Sequence, residues 1–470
     1  MSLLSLPIII LFFSLSQNSL SSEGDYLNCY YKGLFSSLRP KYFRHIFSDS
    51  EIVDTLNNAL THLTLEVTQQ CNLRCLYCSY SGRFYNKRIH NQKDMKFIIA
   101  KKAIDFFLNH SSESDKIFIS FYGGEPLINY PLIKKCVKYL NEIAKDRNIH
   151  YSITTNGILL KEDIINFFRK NNFFITISLD GPKEVNDTFR KFPNGRGTFD
   201  IINHNINLLY DNCYPSELIK LNITIVSDLN LNDQMIYFDR LFKEKGYSLN
   251  PFYVNKKESS LHEIIKENAG SLTSPYIKEL RIKFKQNLIN NNVEESQFVK
   301  SLFSARFRKI YNRGSFKQFD LFYSPNGACI PGWEKLFVDV AGNFYICEKM
   351  TDFISIGNVA AGLNMTSILE IINKYCEMCI TDCKDCWAIR LCKACYVAAK
   401  KNRWLDLEER RKYCNNMREN LMSDIIFYLE VLEKNPTAFD FFARENSVRY
   451  LKDRIDYMRK KSTVDKEKKC

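Results

Sequence analysis

Thr68-Gln69-Gln70-Cys71-Asn72-Leu73-Arg74-Cys75-Leu76-Tyr77-Cys78-Ser79-Tyr80 sets three cysteines in the spacing C-x3-C-x2-C. A tight loop of this kind aims three thiolates at one point, and three thiolates leave a four-ligand site one short. Either a fourth ligand arrives from elsewhere in the chain, or one metal position stays open to a small molecule. Taken alone, the spacing also fits half of a structural zinc site or the start of a ferredoxin-like electron carrier.

Around this loop the sequence reads strand, loop, helix. His62 to Val67 alternates apolar and polar residues and runs straight into the cysteines, and Met95 to Leu108 places Phe97, Ala100, Ile104 and Phe107 on one helical face. The unit repeats. Strands are expected at Lys116 to Tyr122, Tyr151 to Thr155, Phe174 to Leu179 and Leu221 to Val226, with helices at about Leu132 to Lys145, Glu162 to Arg169, Thr198 to Leu209 and Asp233 to Glu244. Strands alternating with helices imply a parallel sheet with right-handed crossovers, so the expected fold class is α/β, a barrel or part of one. Chemistry then belongs on the loops that follow the strands. The cysteine loop, Gly123-Gly124-Glu125-Pro126, Asn156-Gly157 and Asp180-Gly181-Pro182 all fall at such strand ends and should converge on one mouth. Glycine pairs allow close backbone approach to a ligand, and the Glu125 carboxylate can accept from a ligand amine. For any one of these loops an ordinary turn is the simpler reading; their agreement in register with the cysteines favours a ligand site.

A second cysteine group begins at Cys329. It continues with Gly342-Asn343-Phe344-Tyr345-Ile346-Cys347 and then Cys376, Cys379, Cys383, Cys386, Cys392, Cys395 and Cys414. The segment Phe337 to Tyr345 reads as a hairpin that delivers Cys347. In isolation, paired C-x2-C units indicate zinc ribbons. Twelve of the sixteen cysteines gather in groups with metal-ligand spacing, which suits reduced thiols better than a disulfide framework. Cys29, Cys136, Cys213 and Cys470 have no such spacing and are expected to be ordinary thiols.

Taken together, these motifs resemble the radical SAM enzymes, in which three cysteines hold a 4Fe-4S cluster whose fourth iron binds S-adenosyl-L-methionine and yields a 5′-deoxyadenosyl radical. By that resemblance Cys71, Cys75 and Cys78 are the catalytic cluster ligands, Tyr77 lies in the cofactor loop, and Gly123, Gly124 and Glu125 meet the cofactor's amino group. Ser178-Leu179-Asp180-Gly181-Pro182, reaching Arg190 through Asn186-Asp187-Thr188-Phe189, is similar to the branch that matures sulfatases and ribosomal peptides. It implies Ser178 toward the ribose and Arg190 toward the methionine carboxylate. The second cysteine group resembles a SPASM domain with two auxiliary 4Fe-4S clusters, one on Cys329, Cys347 and Cys395 and the other on Cys383, Cys386, Cys392 and Cys414. Two departures stand out: C-x2-C at Cys392 and Cys395 replaces the usual C-x3-C, and no cysteine lies a few residues before Cys329. Cys376 or Cys379 could fill that vacancy, or one iron stays open.

The resemblance covers about Thr61 to Cys414 and implies a partial (β/α)6 barrel followed by a small cysteine-rich SPASM domain and C-terminal helices. The domain boundaries expected are an N-terminal extension at 1–60, the radical SAM core at 61–255, a helical bridge at 256–325, the SPASM domain at 326–420 and a helical tail at 421–470. Tyr80-Ser81-Gly82, Cys347-Glu348-Lys349 and Cys386-Trp387-Ala388 look most like maturases that form thioether crosslinks in cysteine-rich ribosomal peptides. The implied partners are a cysteine-rich precursor peptide with its leader and an electron donor such as flavodoxin or ferredoxin. The alternatives are an anaerobic sulfatase maturase, whose Cys-Asp at the hairpin exit is here Cys347-Glu348, and a zinc or electron-transfer protein without radical chemistry.

The chain has 470 residues, 45% of them hydrophobic, enough for two or three domains with a sizeable core. Its net charge of +13 is spread along the chain, with no basic stretch interleaved with aromatics. A nucleic-acid partner is therefore not expected, while an acidic leader peptide fits. Leu3 to Leu15 is as apolar as the core of a signal peptide but too short for a membrane span, and no Lys or Arg precedes it. A cytoplasmic protein without stable membrane association is expected.

Overall fold

The computed structural model describes residues 42–84, 88–254, 275–292, 296–312 and 322–444, apart from positions 46, 227 and 326. The apolar stretch Leu3 to Leu15, Cys29, Cys470 and the Lys-rich tail lie outside the described residues.

Six parallel strands follow one another in chain order across the sheet: β1 (His62–Thr68), β2 (Lys116–Gly123), β3 (Asn148–Thr155), β4 (Phe174–Ser178), β5 (Ile219–Ile225) and β6 (Ser248–Tyr253). The crossovers are helical: α1 (Phe97–Asn109), α2 (Tyr130–Ile143), α3 (Glu162–Lys170), then α4 (Lys183–Phe189) with α5 (Phe199–Asp211), and α6 (Leu231–Lys245). This is the α/β open barrel expected from the alternation. Successive residues of a strand face opposite ways. On β1, Leu63, Leu65 and Val67 join the hydrophobic core with Ala100, Ile104 and Phe107 of α1, while Thr64, Glu66 and Thr68 are buried on the other face. That inner face is polar. His62 Nε2 lies 2.6 Å from Ser120 Oγ, which lies 2.5 Å from Ser152 Oγ, a line of hydrogen bonds across β1, β2 and β3.

Two elements of this barrel had no sequence expectation. Strand β6 contains Pro251, which cannot donate to a ladder and is tolerated because β6 is the terminal strand of the sheet. Helix α4 starts directly after Pro182 and carries the chain from Asp180 to Arg190.

The hairpin expected at Phe337 to Tyr345 is present and belongs to the same sheet. Strand β7 (Leu336–Val338) pairs in parallel with β1, Leu63 opposite Leu336 and Leu65 opposite Val338. Strands β8 (Asn343–Tyr345), β9 (Gly357–Asn358) and β10 (Gly362–Leu363) continue it antiparallel, giving ten strands in one sheet. Gly342 turns the hairpin at φ +90°, where a Cβ would come within 2.7 Å of Val359.

Beyond the barrel, α7 (Pro275–Asn290), α8 (Gln297–Tyr311), α9 (Met365–Cys383) and α10 (Leu407–Leu432) surround the second cysteine group. Phe307 of α8 stacks on Phe427 of α10 at 4.8 Å, and Arg281 and Arg306 both pair with the buried Asp424. Helix α10 begins at Leu407, ahead of the helical tail expected at 421–470, so Cys414 sits within it and it runs through residue 420. Asp406 caps it by accepting from Glu409 N–H at 2.9 Å, a start signal hidden by the lack of an apolar stripe in the first turns. Among the described residues no helix is long and apolar enough to cross a membrane.

Candidate active site and cysteine centres

The cysteine loop leaves β1 at Thr68 and is clamped from both sides. Gly124 N–H donates to Thr68 O at 2.9 Å, and Glu125 N–H donates to Gln70 O at 2.7 Å. A Cβ on Gly123 would lie 2.1 Å from Thr68 O, and one on Gly124 would lie 2.0 Å from Gln70 O. The glycine pair is therefore required by the approach of the loop after β2 to the cysteine loop itself. On the far side, Arg74 N–H donates to Lys191 O at 2.7 Å and Leu76 N–H to Phe189 O at 2.9 Å.

Glu125 is almost fully buried. Its carboxylate accepts from Thr155 Oγ1 at 2.7 Å, Asn156 N–H at 2.7 Å and Leu127 N–H at 3.1 Å. It thus fastens the ends of β2 and β3 together, and of about four acceptor positions on a carboxylate one is left for a ligand amine. Asn156 Nδ2 donates to Asn72 Oδ1 at 2.8 Å and lies 3.9 Å from Cys71 Sγ. Ser178 ends β4 half-buried, opposite Asn222 of β5.

Tyr77 reaches across the mouth. Its hydroxyl donates to Asp180 Oδ2 and accepts from Arg190 Nη1 at 2.8 Å. Asp180 also accepts from Thr224 N–H at 3.0 Å, and Gln234 Nε2 donates to the Asp180 carbonyl at 2.5 Å. Arg190 Nε is buried with no hydrogen-bond partner. Burial pushes the Asp180 carboxyl up, against the lowering effect of Arg190.

The three thiols are partly buried and bear on one another. Burial first, then Glu125, push Cys71 up to about 12, with Cys75 and Cys78 adding to the shift. Burial pushes Cys75 up to about 11 against the pull of Arg190. Leu73 N–H points at Cys71 Sγ and Tyr80 N–H at Cys78 Sγ, each at 3.4 Å, and His90 Nε2 lies 3.8 Å from Cys78 Sγ. Among the described residues, no three His, Cys, Asp or Glu side chains are gathered tightly enough to hold a single metal ion. The amide donors aimed at sulfur are of the kind that tune an iron–sulfur cluster.

Beside the mouth, Glu66 pairs with Arg88 at 2.6 Å, and the Arg88 guanidinium lies 3.7 Å from the centre of the Tyr80 ring. The Tyr122 ring is partly buried and meets Phe337 of β7 edge-on at 6.2 Å; burial raises its pKa, and Glu348 and Cys78 both add to the effect. At the hairpin exit Glu348 pairs with Lys335 at 3.0 Å.

The second cysteine group separates into two. Burial raises the Cys329 thiol, followed by Glu334, Cys347 and Cys395, which brings those three cysteines together with one carboxylate that the sequence reading passed over. Cys383, Cys386, Cys392 and Cys414 line a separate cavity with Cys379. Cys379 therefore stands with the second set, and of the two cysteines considered for the vacancy beside Cys329, only Cys376 remains near it, against Tyr396, whose hydroxyl donates to Cys329 O at 2.9 Å. Cys136 is buried on α2 and Cys213 is exposed. The charged residues Glu66, Arg88, Glu334 and Arg410 gave no sequence signal, because each reaches the cysteines or the tyrosines beside them only through tertiary contacts.

Residues 65–239 match the family model described as the radical SAM superfamily. An uncharacterized protein of Methanocaldococcus jannaschii is 30% identical over 306 residues, covering 64% of this chain and 90% of that protein. The cysteine-type anaerobic sulfatase-maturating enzyme of Clostridium novyi is 31% identical over 191 residues, which are 40% of this chain and 49% of that enzyme. Among solved structures, native anSMEcpe with bound AdoMet superposes with a TM-score of 0.57 at 21% identity, over 82% of this chain and 99% of that one. The same protein has been solved with AdoMet and a Cp18Cys peptide. With its sheet order, its cysteine loop at the strand ends and these relatives in agreement, the chain belongs to the radical SAM superfamily.

Proposed function

We propose that this radical SAM enzyme modifies a cysteine-rich, ribosomally made peptide, forming thioether crosslinks. When bound, the cluster and S-adenosyl-L-methionine supply a 5′-deoxyadenosyl radical that takes a hydrogen atom from the substrate, and the auxiliary clusters accept the surplus electron. Cys71, Cys75 and Cys78 would hold the catalytic cluster. Glu125, through its remaining acceptor position, and the Gly123-Gly124 backbone would meet the cofactor's amino group, with Tyr77 bracing the loop. Arg190 would turn its orphan Nε toward the carboxylate, and Ser178 would face the ribose. Cys329, Cys347 and Cys395 would hold one auxiliary cluster, and Cys383, Cys386, Cys392 and Cys414 the other, in a SPASM-type arrangement. An electron donor such as flavodoxin or ferredoxin is required.

The observation that supports the peptide reading is that three cysteines, Cys329, Cys347 and Cys395, stand together beside the hairpin exit, while Cys379 belongs to the other cavity and Cys376 is the competing fourth ligand. A substrate thiol that completes this set is deprotonated and held near the hydrogen-abstraction site, which turns an encounter into an intramolecular step. The new C–S bond then replaces one C–H and one S–H bond, and the sulfur stays in the product. The likeness to the Clostridium novyi sulfatase maturase favours a second reading, oxidation of a Cys or Ser to formylglycine.

The test is anaerobic incubation of the reconstituted enzyme with dithionite, S-adenosyl-L-methionine and a cysteine-containing peptide. Loss of two hydrogens with retention of sulfur is the result expected for a thioether; loss of sulfur with gain of an aldehyde indicates formylglycine. Replacing Cys71, Cys75 and Cys78 by Ala should abolish 5′-deoxyadenosine while auxiliary iron remains. Continued 5′-deoxyadenosine formation in that triple variant would overturn the cluster assignment.

A further inference from the structure

The cavity of the second cysteine set is lined by five thiols, Cys379, Cys383, Cys386, Cys392 and Cys414, by the Asp382 carboxylate, which pairs with Arg411, and by two guanidiniums: Arg418, which donates to Asn415 on the exposed side, and the buried Arg410. A four-iron cluster ligated by protein alone takes four thiolates. Arg410 precedes Cys414 by four residues on α10, so both side chains leave the same face of that helix. On α9, Cys379 and Cys383 are likewise four apart. Arg410 is 2% exposed, and its Nη2 donates to Cys383 Sγ at 2.7 Å and to Cys379 Sγ at 3.3 Å. Its guanidinium carbon lies 5.4 Å from the centre of the Tyr375 ring. Nε and Nη1 are buried and make no geometric hydrogen bond among the described residues. A guanidinium removed from water with two such donors is stabilised by an anion within the same cavity.

Resting on the assignment of Cys383, Cys386, Cys392 and Cys414 as cluster ligands, we propose that Arg410 is the resident counter-cation of the second auxiliary cluster, positioned by Cys379, and that it raises the reduction potential of that cluster. Uptake of an electron adds one negative charge inside the cavity, and a fixed, desolvated cation at hydrogen-bonding distance from a ligand sulfur stabilises that added charge. Cys379 is the thiol in excess. It meets the same guanidinium nitrogen as Cys383 and so keeps the cation pointed at the ligand set.

The experiment uses full-length, anaerobically reconstituted protein in which Cys71, Cys75 and Cys78 are Ala, leaving auxiliary iron alone. Iron and sulfide are counted, and the reduced clusters are titrated potentiometrically with detection by electron paramagnetic resonance. The signal lost in Cys414→Ala identifies the second cluster. Arg410→Gln should keep its iron and move that midpoint to more negative potential, Arg410→Lys should move it less, and Cys379→Ala should keep iron while shifting the midpoint in the same direction. An unmoved midpoint in Arg410→Gln overturns the proposal, as does iron loss in Cys379→Ala equal to that in Cys414→Ala, which would make Cys379 a ligand. If Arg410→Gln loses the cluster, retention in Arg410→Lys supports the charge role, and loss in both variants shows a scaffold and overturns it. Absence of auxiliary iron from the parent protein would instead refute the underlying ligand assignment.

Discussion

Asp180 and Arg190 are joined through a single hydroxyl, that of Tyr77, which donates to the carboxylate and accepts from the guanidinium at 2.8 Å. Tyr77 belongs to the cysteine loop, Asp180 follows β4 and Arg190 follows α4. The loop's geometry is therefore coupled to Arg190, the residue proposed to receive the cofactor's carboxylate.

Removing Arg190 should weaken cofactor binding. Arg190→Ala deletes one charge-assisted contact to a carboxylate, a loss of roughly 1.5 to 3 kcal/mol. Calorimetric titration with S-adenosyl-L-methionine measures it, and an affinity equal to that of the parent would place Arg190 outside the cofactor site.

Gly124→Ala should damage the catalytic loop selectively. Its Cβ would sit 2.0 Å from Gln70 O, one residue from Cys71, so the loop must move. The expected outcome is at least about a tenfold fall in 5′-deoxyadenosine formation with auxiliary iron unchanged. Parent-level activity would show that the loop tolerates displacement.

Much of the barrel was legible because its strands end in recognisable turn residues and its helices carry apolar stripes. Strand β6 was missed because Pro251 and Asn250 weaken the strand pattern, and only its place at the sheet edge excuses them. The cysteines were legible through their spacing. The partners that give them charge and direction were not, since Arg410, Glu334 and Asp180 meet thiols or phenols across contacts that no local pattern encodes. Cys379 shows the limit most clearly: its spacing suits either auxiliary set, and only the direction of α9 assigns it.

A peptide thiol should perturb the first auxiliary cluster. Electron paramagnetic resonance of the reduced protein, with and without a cysteine-containing peptide, should show a changed signal that persists in Cys379→Ala. No change with peptide, together with loss of that cluster in Cys376→Ala, would mean that Cys376 closes the site.

His62 should make stability depend on pH. Burial, then Lys335, pushes its imidazole from 6.5 down to about 4. The unfolded chain takes up a proton below 6.5 and the folded protein does not until about 4, so the contribution is complete above 6.5 and is lost as pH falls through that window. The full effect is roughly 3 kcal/mol. Thermal midpoints of the reconstituted enzyme between about pH 7.5 and about pH 5.5 should fall more steeply for the parent than for His62→Gln; equal slopes would assign the loss to other groups.

Strand β7 lies in parallel register with β1, Leu336 against Leu63 and Val338 against Leu65. The strand that launches Cys71 and the hairpin that ends at Cys347 thus share one ladder of backbone hydrogen bonds. That ladder acts as a ruler. The spacing between Cys71 and Cys347 is fixed by the sheet and is independent of the length of the chain joining β6 to β7, so insertions in that connection should leave the distance between the two proposed clusters untouched. A single proline within β7 should instead alter the distance without changing any ligand.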